Sequence, residues 1–225
     1  MRRIAVITPV ARGPHRLHVS DAVASTTAFP LHVVVYDGAQ QSPPAPQFED
    51  ERDRVAVITT DDPVGRSEAR NIGIRAADAA GFEWCLFIDA DDLMLPTAWA
   101  DLQDAKEADL YYGEHFFEDG SGSYNHVPFD ADTRAKLLEA PTRAKLIVPN
   151  VSYAVRTERA LRVLFDPMIS HGEHFDFFIK YVANPSIRVH MLRRPLITVR
   201  RSLSTAQFGP WQDGSRERYQ EWQTA

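Results

Sequence analysis

Long apolar runs are missing from this chain of 225 residues. No stretch approaches the ~18 consecutive apolar residues that a membrane-spanning helix needs. The opening Met1-Arg2-Arg3-Ile4-Ala5-Val6-Ile7 has the basic-then-apolar order of a signal peptide. Pro9, Arg12 and Gly13 close its apolar part too early, however, so it reads as a first strand. Cysteine is nearly absent. Cys85 alone excludes an internal disulfide framework and a cysteine-based zinc site, and its place inside an apolar run marks it as a small buried hydrophobe. An excess of positive charge is lacking too: the net charge of −6 gives no footprint for duplex nucleic acid. Lysine is scarce, with four against 21 arginines, a bias better explained by codon usage than by chemistry. No internal repeat, low-complexity tract or linker divides the chain. What remains is an ordinary globular composition, 44% hydrophobic and 25% charged, expected to form one cytoplasmic domain, with peripheral docking at a membrane left open.

What the sequence does have is an apolar run that ends in acid, Trp84-Cys85-Leu86-Phe87-Ile88-Asp89-Ala90-Asp91-Asp92, followed by Pro96. The run reads as a buried strand of a parallel sheet, covered by helices on both faces. Its carboxylates then lie outside the carboxyl end of a strand, where open α/β sheets bind ligands. Residues two apart on an extended segment point the same way, so Asp89 and Asp91 are placed to share one ligand. Such crowding calls for a hard divalent cation, which carboxylates and phosphate oxygens bind well.

The rest of the chain alternates in kind. Strands are expected at 3–8, Leu31–Tyr36, Val55–Thr59, 84–88 and Leu110–Tyr112, with helices at 14–28, 67–80 and 96–108 and a proline-rich loop at 39–53. Beyond residue 113 the pattern weakens. A hairpin or loop is expected at 116–130, short elements at 134–138 and 144–148, a strand at 152–156 and a helix at Thr157–Val163 capped by Thr157. A loop at 165–172 precedes a helix at 173–181. Strands at 187–192 and 196–200 follow, then a polar helix at 214–222. Alternating strands and helices imply a largely parallel sheet.

Several segments together resemble the family 2 glycosyltransferases of the GT-A fold. The strongest block is Gly65-Arg66-Ser67-Glu68-Ala69-Arg70-Asn71-Ile72-Gly73, followed by Asp89-Ala90-Asp91-Asp92 and Pro96. It matches the family's Gly-x-x-x-Ala-Arg-Asn-x-Gly helix leading into a strand that ends in Asp-x-Asp-Asp. Softer matches are Val6-Ile7-Thr8-Pro9, Val35-Tyr36-Asp37-Gly38, Phe165-Asp166-Pro167 with Gly172-Glu173-His174-Phe175-Asp176, and Val199-Arg200-Arg201-Ser202-Leu203-Ser204. The resemblance implies an α/β, Rossmann-like three-layer sandwich around a mostly parallel sheet. One domain would span 1–225: a nucleotide-sugar half to about 110, an acceptor and catalytic half over 111–205, and a C-terminal extension.

It also implies roles. Asp91 would be the main ligand of Mn²⁺ or Mg²⁺, with Asp89 on metal or ribose. Thr8, Pro9, Asp37, Gly65, Arg66, Arg70, Ala90 and Arg201 would line the nucleotide-sugar site, with Asp37 on the base and arginines on phosphate. Asn71 is read as a brace for a loop. The family's Glu-Asp pair is Glu173-His174 here, so the general base for an inverting transfer is Glu173, His174 or Asp176. The family's late histidine is replaced, with Arg201 near its place and His190 too early, so an arginine there would supplement or partly replace the ion.

The function expected is transfer of a sugar from a nucleotide-diphosphate sugar to an acceptor hydroxyl. The acceptor would be a glycan, a lipid-linked saccharide, a protein side chain or a modified nucleobase, met by residues 113–132 and the C-terminal third. Tyr111, Tyr112, Trp211 and Trp222 are aromatic candidates for stacking on a sugar, against a plain packing role. Two alternatives stand beside it. One is a degenerate module that binds nucleotide or glycan without turnover, favoured by the altered Glu173-His174. The other is a nucleotidyltransferase, for which Ala11-Arg12-Gly13-Pro14 is a poor phosphate loop.

Overall fold

The computed structural model describes residues 1–10, 18–38, 53–113, 115–117, 129–139, 153–169 and 171–200. Its first strand, β1 (Ile4–Val10), is buried along its whole length. It pairs in parallel with β2 (Leu31–Tyr36), and β3 (Val55–Thr59) pairs in parallel outside β2. On its other side β1 pairs in parallel with β4 (Trp84–Phe87), so the carboxyl ends of all four strands share one edge. Two further short strands, β5 (Leu93–Met94) and β7 (His115–Phe117), flank β10 (Ile197–Val199) in a small second sheet. The main sheet is completed by β6 (Leu110–Tyr112), β8 (Tyr153–Arg156) and β9 (Val189–Met191), in the order β3-β2-β1-β4-β8-β6-β9. Only β8 runs against its neighbours. The sheet is mostly parallel, as expected.

The helices are α1 (Val19–Ala24), α2 (Gly65–Ala79), α3 (Ala98–Asp104), α4 (Ala131–Glu139), α5 (Thr157–Val163) and α6 (Glu173–Val182). Strand alternation sorts the core into two layers. Ala5, Ile7, Cys85 and Phe87 face α2, α5 and α6 through Ala69, Ile74, Ala160, Phe177 and Phe178. Ile4, Val6, Trp84 and Leu86 face α3 and the small sheet through Ala98, Leu102, Leu196 and Ile197. Large side chains such as Trp84, Phe87, Phe177 and Phe178 are fully buried, each contributing roughly 1.5–3 kcal/mol by removal of apolar surface from water. Helix α2 lies directly on β1. An added Cβ at Gly73 would sit 2.4 Å from Ile7 Cγ2, so only glycine allows this approach. Cys85 is buried, as read from its apolar neighbours. Among the described residues no helix is long and apolar enough to cross a membrane.

Several expected boundaries move, each for a local reason. β1 continues through Pro9 to Val10. Odd-numbered residues of β1 bond toward β4, as Ile7 O does in accepting from Ile88 N. β4 has ended by the level of Pro9, so the missing proline N–H interrupts no ladder. α1 stops at Ala24 because Ser25 and Thr26 turn their hydroxyls back onto the carbonyls of Ala22 and Val23. Thr157 is the first residue of α5 and not its cap; extended Arg156 holds the cap position, and the Thr157 hydroxyl meets Cys85 Sγ at 3.4 Å. β5 was not expected, and β7 falls where a hairpin or loop was expected to begin. The helices expected at 14–28 and 96–108 are described only as Val19–Ala24 and Ala98–Asp104, while 144–148 and 214–222 lie outside the described residues.

Candidate active site

The chain leaves β4 at Phe87 and turns at once. Asp92 N donates to Asp89 O at 3.1 Å, and this tight turn folds three carboxylates together. One oxygen from each of Asp89, Asp91 and Asp92 lies within 4.8 Å of the others. Exposure falls along the turn: the Asp89 side chain is 32% exposed, whereas Asp91 is at 9% and Asp92 at 4%. Burial and then the neighbouring Asp89 and Asp91 charges push the Asp92 carboxyl well above its ordinary range, against a backbone hydrogen bond from Arg200. All three donors are hard oxygens, the set that suits Mg²⁺ or Mn²⁺. The residues fit such an ion, with Asp91 and Asp89 as the more accessible ligands.

Arg70 ties this turn to the other half of the domain. Its Nη2 donates to Asp89 Oδ1 and its Nη1 to Glu173 Oε1, each at 2.7 Å, across 103 residues of sequence in the second case. Arg70 is only 1% exposed. Burial opposes its charge, but Asp89 and Glu173 more than offset this and hold it protonated. The expectation that Arg70 grips phosphate therefore changes, because both ends of its fork are already committed to carboxylates. The freer guanidinium is Arg66, 46% exposed, with Nη1 at 3.8 Å from Glu173 Oε1.

Glu173 opens α6 after Gly172, whose φ of +74° is costly for any residue with a side chain. Burial pushes the Glu173 carboxyl up, yet Arg70, then His174 and Arg66, bring it down to about 2. A carboxylate so well paired is a poor proton acceptor. Asp176 is also engaged, 2.7 Å from Lys180 Nζ on the same helix. His174 differs from both. Its Nε2 is buried without a hydrogen-bond partner, although part of the residue reaches the surface. Burial lowers its pKa to about 4, with Glu173 opposing and Arg70 adding to the shift. The imidazole is neutral near pH 7. Tyr153 donates to the His174 carbonyl at 3.3 Å and so fixes the start of the helix.

The other expected site residues fall into two groups. Asp37 stands at the end of β2 and accepts from Val64 N at 2.5 Å and from Gly65 N at 3.2 Å, thereby capping α2. Asn71 accepts from Phe165 N at 2.8 Å and donates to Phe165 O at 2.9 Å, a two-sided brace for the loop before α6. Thr8 is turned away: its hydroxyl meets His32 Nε2 at 2.8 Å, and both are fully buried. Pro9 is buried in β1, and Ala90 packs against Val10, Val19 and Tyr36 under α1. Thr8 and Ala90 thus offer the site backbone and not side chain. Tyr111 and Tyr112 are fully buried and belong to the core, so neither stacks on a sugar. His190 packs its ring against Tyr111. Arg201, Trp211 and Trp222 lie outside the described residues.

Two residues that sequence reasoning passed over restrain the acidic turn, Arg200 directly and Asp21 through Arg200. Arg200 donates to the carbonyl of Asp91, and its Nη1 donates to Asp21 Oδ2 at 2.8 Å. The late Arg-Arg pair was a faint signal for the first; nothing in the sequence marks Asp21, 179 positions away.

The model of the family described as "Glycosyl transferase family 2" matches residues 17–163. No curated protein matches. Among solved structures, S. aureus TarS 1-349 superposes with a TM-score of 0.65 at 17% identity, covering 89% of this chain and 60% of that one. A second S. aureus TarS structure gives 0.62 at 18%, with 37% of its chain covered. Glucosyl-3-phosphoglycerate synthase from Mycobacterium tuberculosis, in complex with phosphoglyceric acid, gives 0.51 at 17%, covering 88% and 71%. The chain therefore spans less than two thirds of the TarS structures it resembles. The likeness to these GT-A glycosyltransferases bears out the fold expected from the sequence.

Proposed function

The chain belongs to glycosyl transferase family 2, and from that premise we propose that it transfers a sugar from a nucleotide-diphosphate sugar to an acceptor hydroxyl with inversion. The observation that carries this reading is the link from the Asp89–Asp92 turn through buried Arg70 to Glu173, which joins a cation-ready cluster to the start of α6. Asp91 and Asp89 would hold Mg²⁺ or Mn²⁺, whose chemistry when bound is to neutralise charge developing on the diphosphate. Arg66 faces outward and is assigned to the same phosphates as a flexible cation. Asp37 and Gly65 shape the nucleotide edge, where Asp37 keeps α2 capped while meeting the base. Arg70 serves as an internal brace that holds Asp89 and Glu173 in register.

His174 is assigned as the general base. It takes the proton of the acceptor hydroxyl as that oxygen attacks the anomeric carbon and the diphosphate leaves from the opposite face. Glu173 is left to its partners Arg70 and Arg66, and Asp176 to Lys180. A base with a pKa of about 4 is a modest one, so His174→Gln is expected to lower kcat about 10²-fold, the lower end for general-base loss. The sign of the pH effect follows from the depressed value. Neutral His174 is the active form, so kcat/KM rises as pH passes upward through about 4, and this limb is absent in His174→Gln. Retention of the limb in the variant would sink the assignment.

The donor is tested by thermal-shift titration with UDP-, GDP-, dTDP- and CMP-linked sugars, with and without Mn²⁺. At least one is expected to raise the melting temperature, more so with the ion. Binding without transfer or hydrolysis would favour a module that holds its ligand without turnover. No stabilisation by any of them would overturn the proposal.

A further inference from the structure

The turn that carries three crowded carboxylates is closed by the hydrogen bond from Asp92 N to Asp89 O, against the mutual repulsion of like charges. Further restraint comes from outside. Arg200, at the end of β10, donates its backbone N–H to Asp92 Oδ1 at 3.2 Å and its Nε to the Asp91 carbonyl. Its Nη1 donates to Asp21 Oδ2 at 2.8 Å, on α1. Arg200 is 7% exposed and its Nη2 is buried with no hydrogen-bond partner, so Nε and Nη1 are what orient the guanidinium. Directly after α1, Ser25 Oγ accepts from Met94 N at 2.9 Å, tying β5, which follows the turn, to the same helix end. A guanidinium has no lone pair for a cation. Whatever Arg200 does for an ion, it does through Asp91 and Asp92.

We propose that Arg200, anchored by Asp21, is a positioning residue that presets the Asp91–Asp92 backbone for a divalent cation, a role that rests on the metal reading above. The proposal separates orientation from charge. If Arg200 acted only as a positive charge beside the cluster, a lysine would replace it, and its loss would tighten cation binding. If it orients the turn, lysine fails, because an ammonium lacks the fork that spans the Asp91 carbonyl and Asp21 together.

The test titrates the full chain with Mn²⁺, alone and with pyrophosphate, following free Mn²⁺ by electron paramagnetic resonance. Arg200→Lys is expected to raise the Mn²⁺ Kd by about 10-fold or more, the size seen when outer partners of metal ligands are lost. Asp21→Ala leaves the arginine charge in place and is expected to raise the Kd several-fold. Combining the two should cost no more than Arg200→Lys alone, since both break one device. The Asp21 side chain is 51% exposed, so Asp21→Ala is expected to fold with a modest drop in melting temperature, from the lost ion pair with Arg200, and decides the matter if Arg200→Lys does not fold. Affinities within twofold of the parent, or tighter, overturn the positioning role while sparing the metal reading. A parent chain that binds no Mn²⁺ in either condition overturns both.

Discussion

Asp91→Asn is expected to lower kcat/KM about 10³-fold while leaving the melting temperature unchanged or slightly raised. The rate term follows from the work assigned to the cation, several kcal/mol of charge stabilisation on the leaving diphosphate. The stability term follows from crowding. Asp91 shares its turn with Asp89 and Asp92, and their charges, after burial, are what push the Asp92 carboxyl up. Removing one charge relieves the others at no cost in packing, because asparagine has nearly the same shape. Asp89 would be a poorer target for reading the ion, because its carboxylate accepts a hydrogen bond from fully buried Arg70. Steady-state kinetics with the donor found in the screen, beside a melting curve, gives both readings. More than a tenth of parental kcat/KM in Asp91→Asn would remove the cation from the mechanism.

The second large effect is on stability. Arg70→Met strips the partner from buried Glu173 and from Asp89, and is expected to destabilise the fold by about 3–5 kcal/mol, the range for breaking a buried pair from one side. Methionine fills much of the same volume, so the loss reports charge more than cavity. The pH dependence gives the sign. In the parent, Glu173 has its pKa lowered from 4.5 to about 2, so its contribution is full above 4.5 and is lost as pH falls toward 2. In Arg70→Met the buried carboxylate keeps only the half-exposed Arg66 at 3.8 Å, its pKa moves upward, and acid relieves it. The deficit between variant and parent should therefore be largest near pH 7 and shrink on acidification, as chemical denaturation at several pH values can show. A deficit that stays constant with pH would mean that Arg70 stabilises the fold by packing alone. Arg66→Met serves as the control: its side chain is 46% exposed, and such surface changes usually stay within about 0.5 kcal/mol.

Much of the region around the acidic turn was legible because its signals are local. A buried strand announces itself as an apolar run, and the acidic turn follows it directly in the chain, so Asp89, Asp91 and Asp92 could be placed at a strand end from their neighbours alone. The same holds for α2, which begins at Gly65 and ends one residue before the expected stop. The base segment was harder. Glu173, His174 and Asp176 are all chemically able, and their spacing does not rank them. Only the fold shows their surroundings: Arg70 and Arg66 lie on Glu173 and Lys180 on Asp176, which is why His174 is the one proposed. Arg70 shows the same limit from the other side. An arginine at that place in a helix reads as a phosphate ligand until two carboxylates are found on it.

By itself, then, the sequence determined the alternating α/β architecture, the resemblance to one family and an acidic turn at the end of a buried strand. These follow from side-chain periodicity and from residues adjacent in the chain, which physical chemistry reads over a few positions. The tertiary structure alone decided what closes around that turn. β5 and β7 are two and three residues long and exist only because β10 comes back from residues 197–199 to pair with them. Arg70 meets Glu173 across 103 positions and Arg200 meets Asp21 across 179. Contacts of that separation leave no periodic trace, because each partner is chosen by the fold and not by its neighbours in sequence.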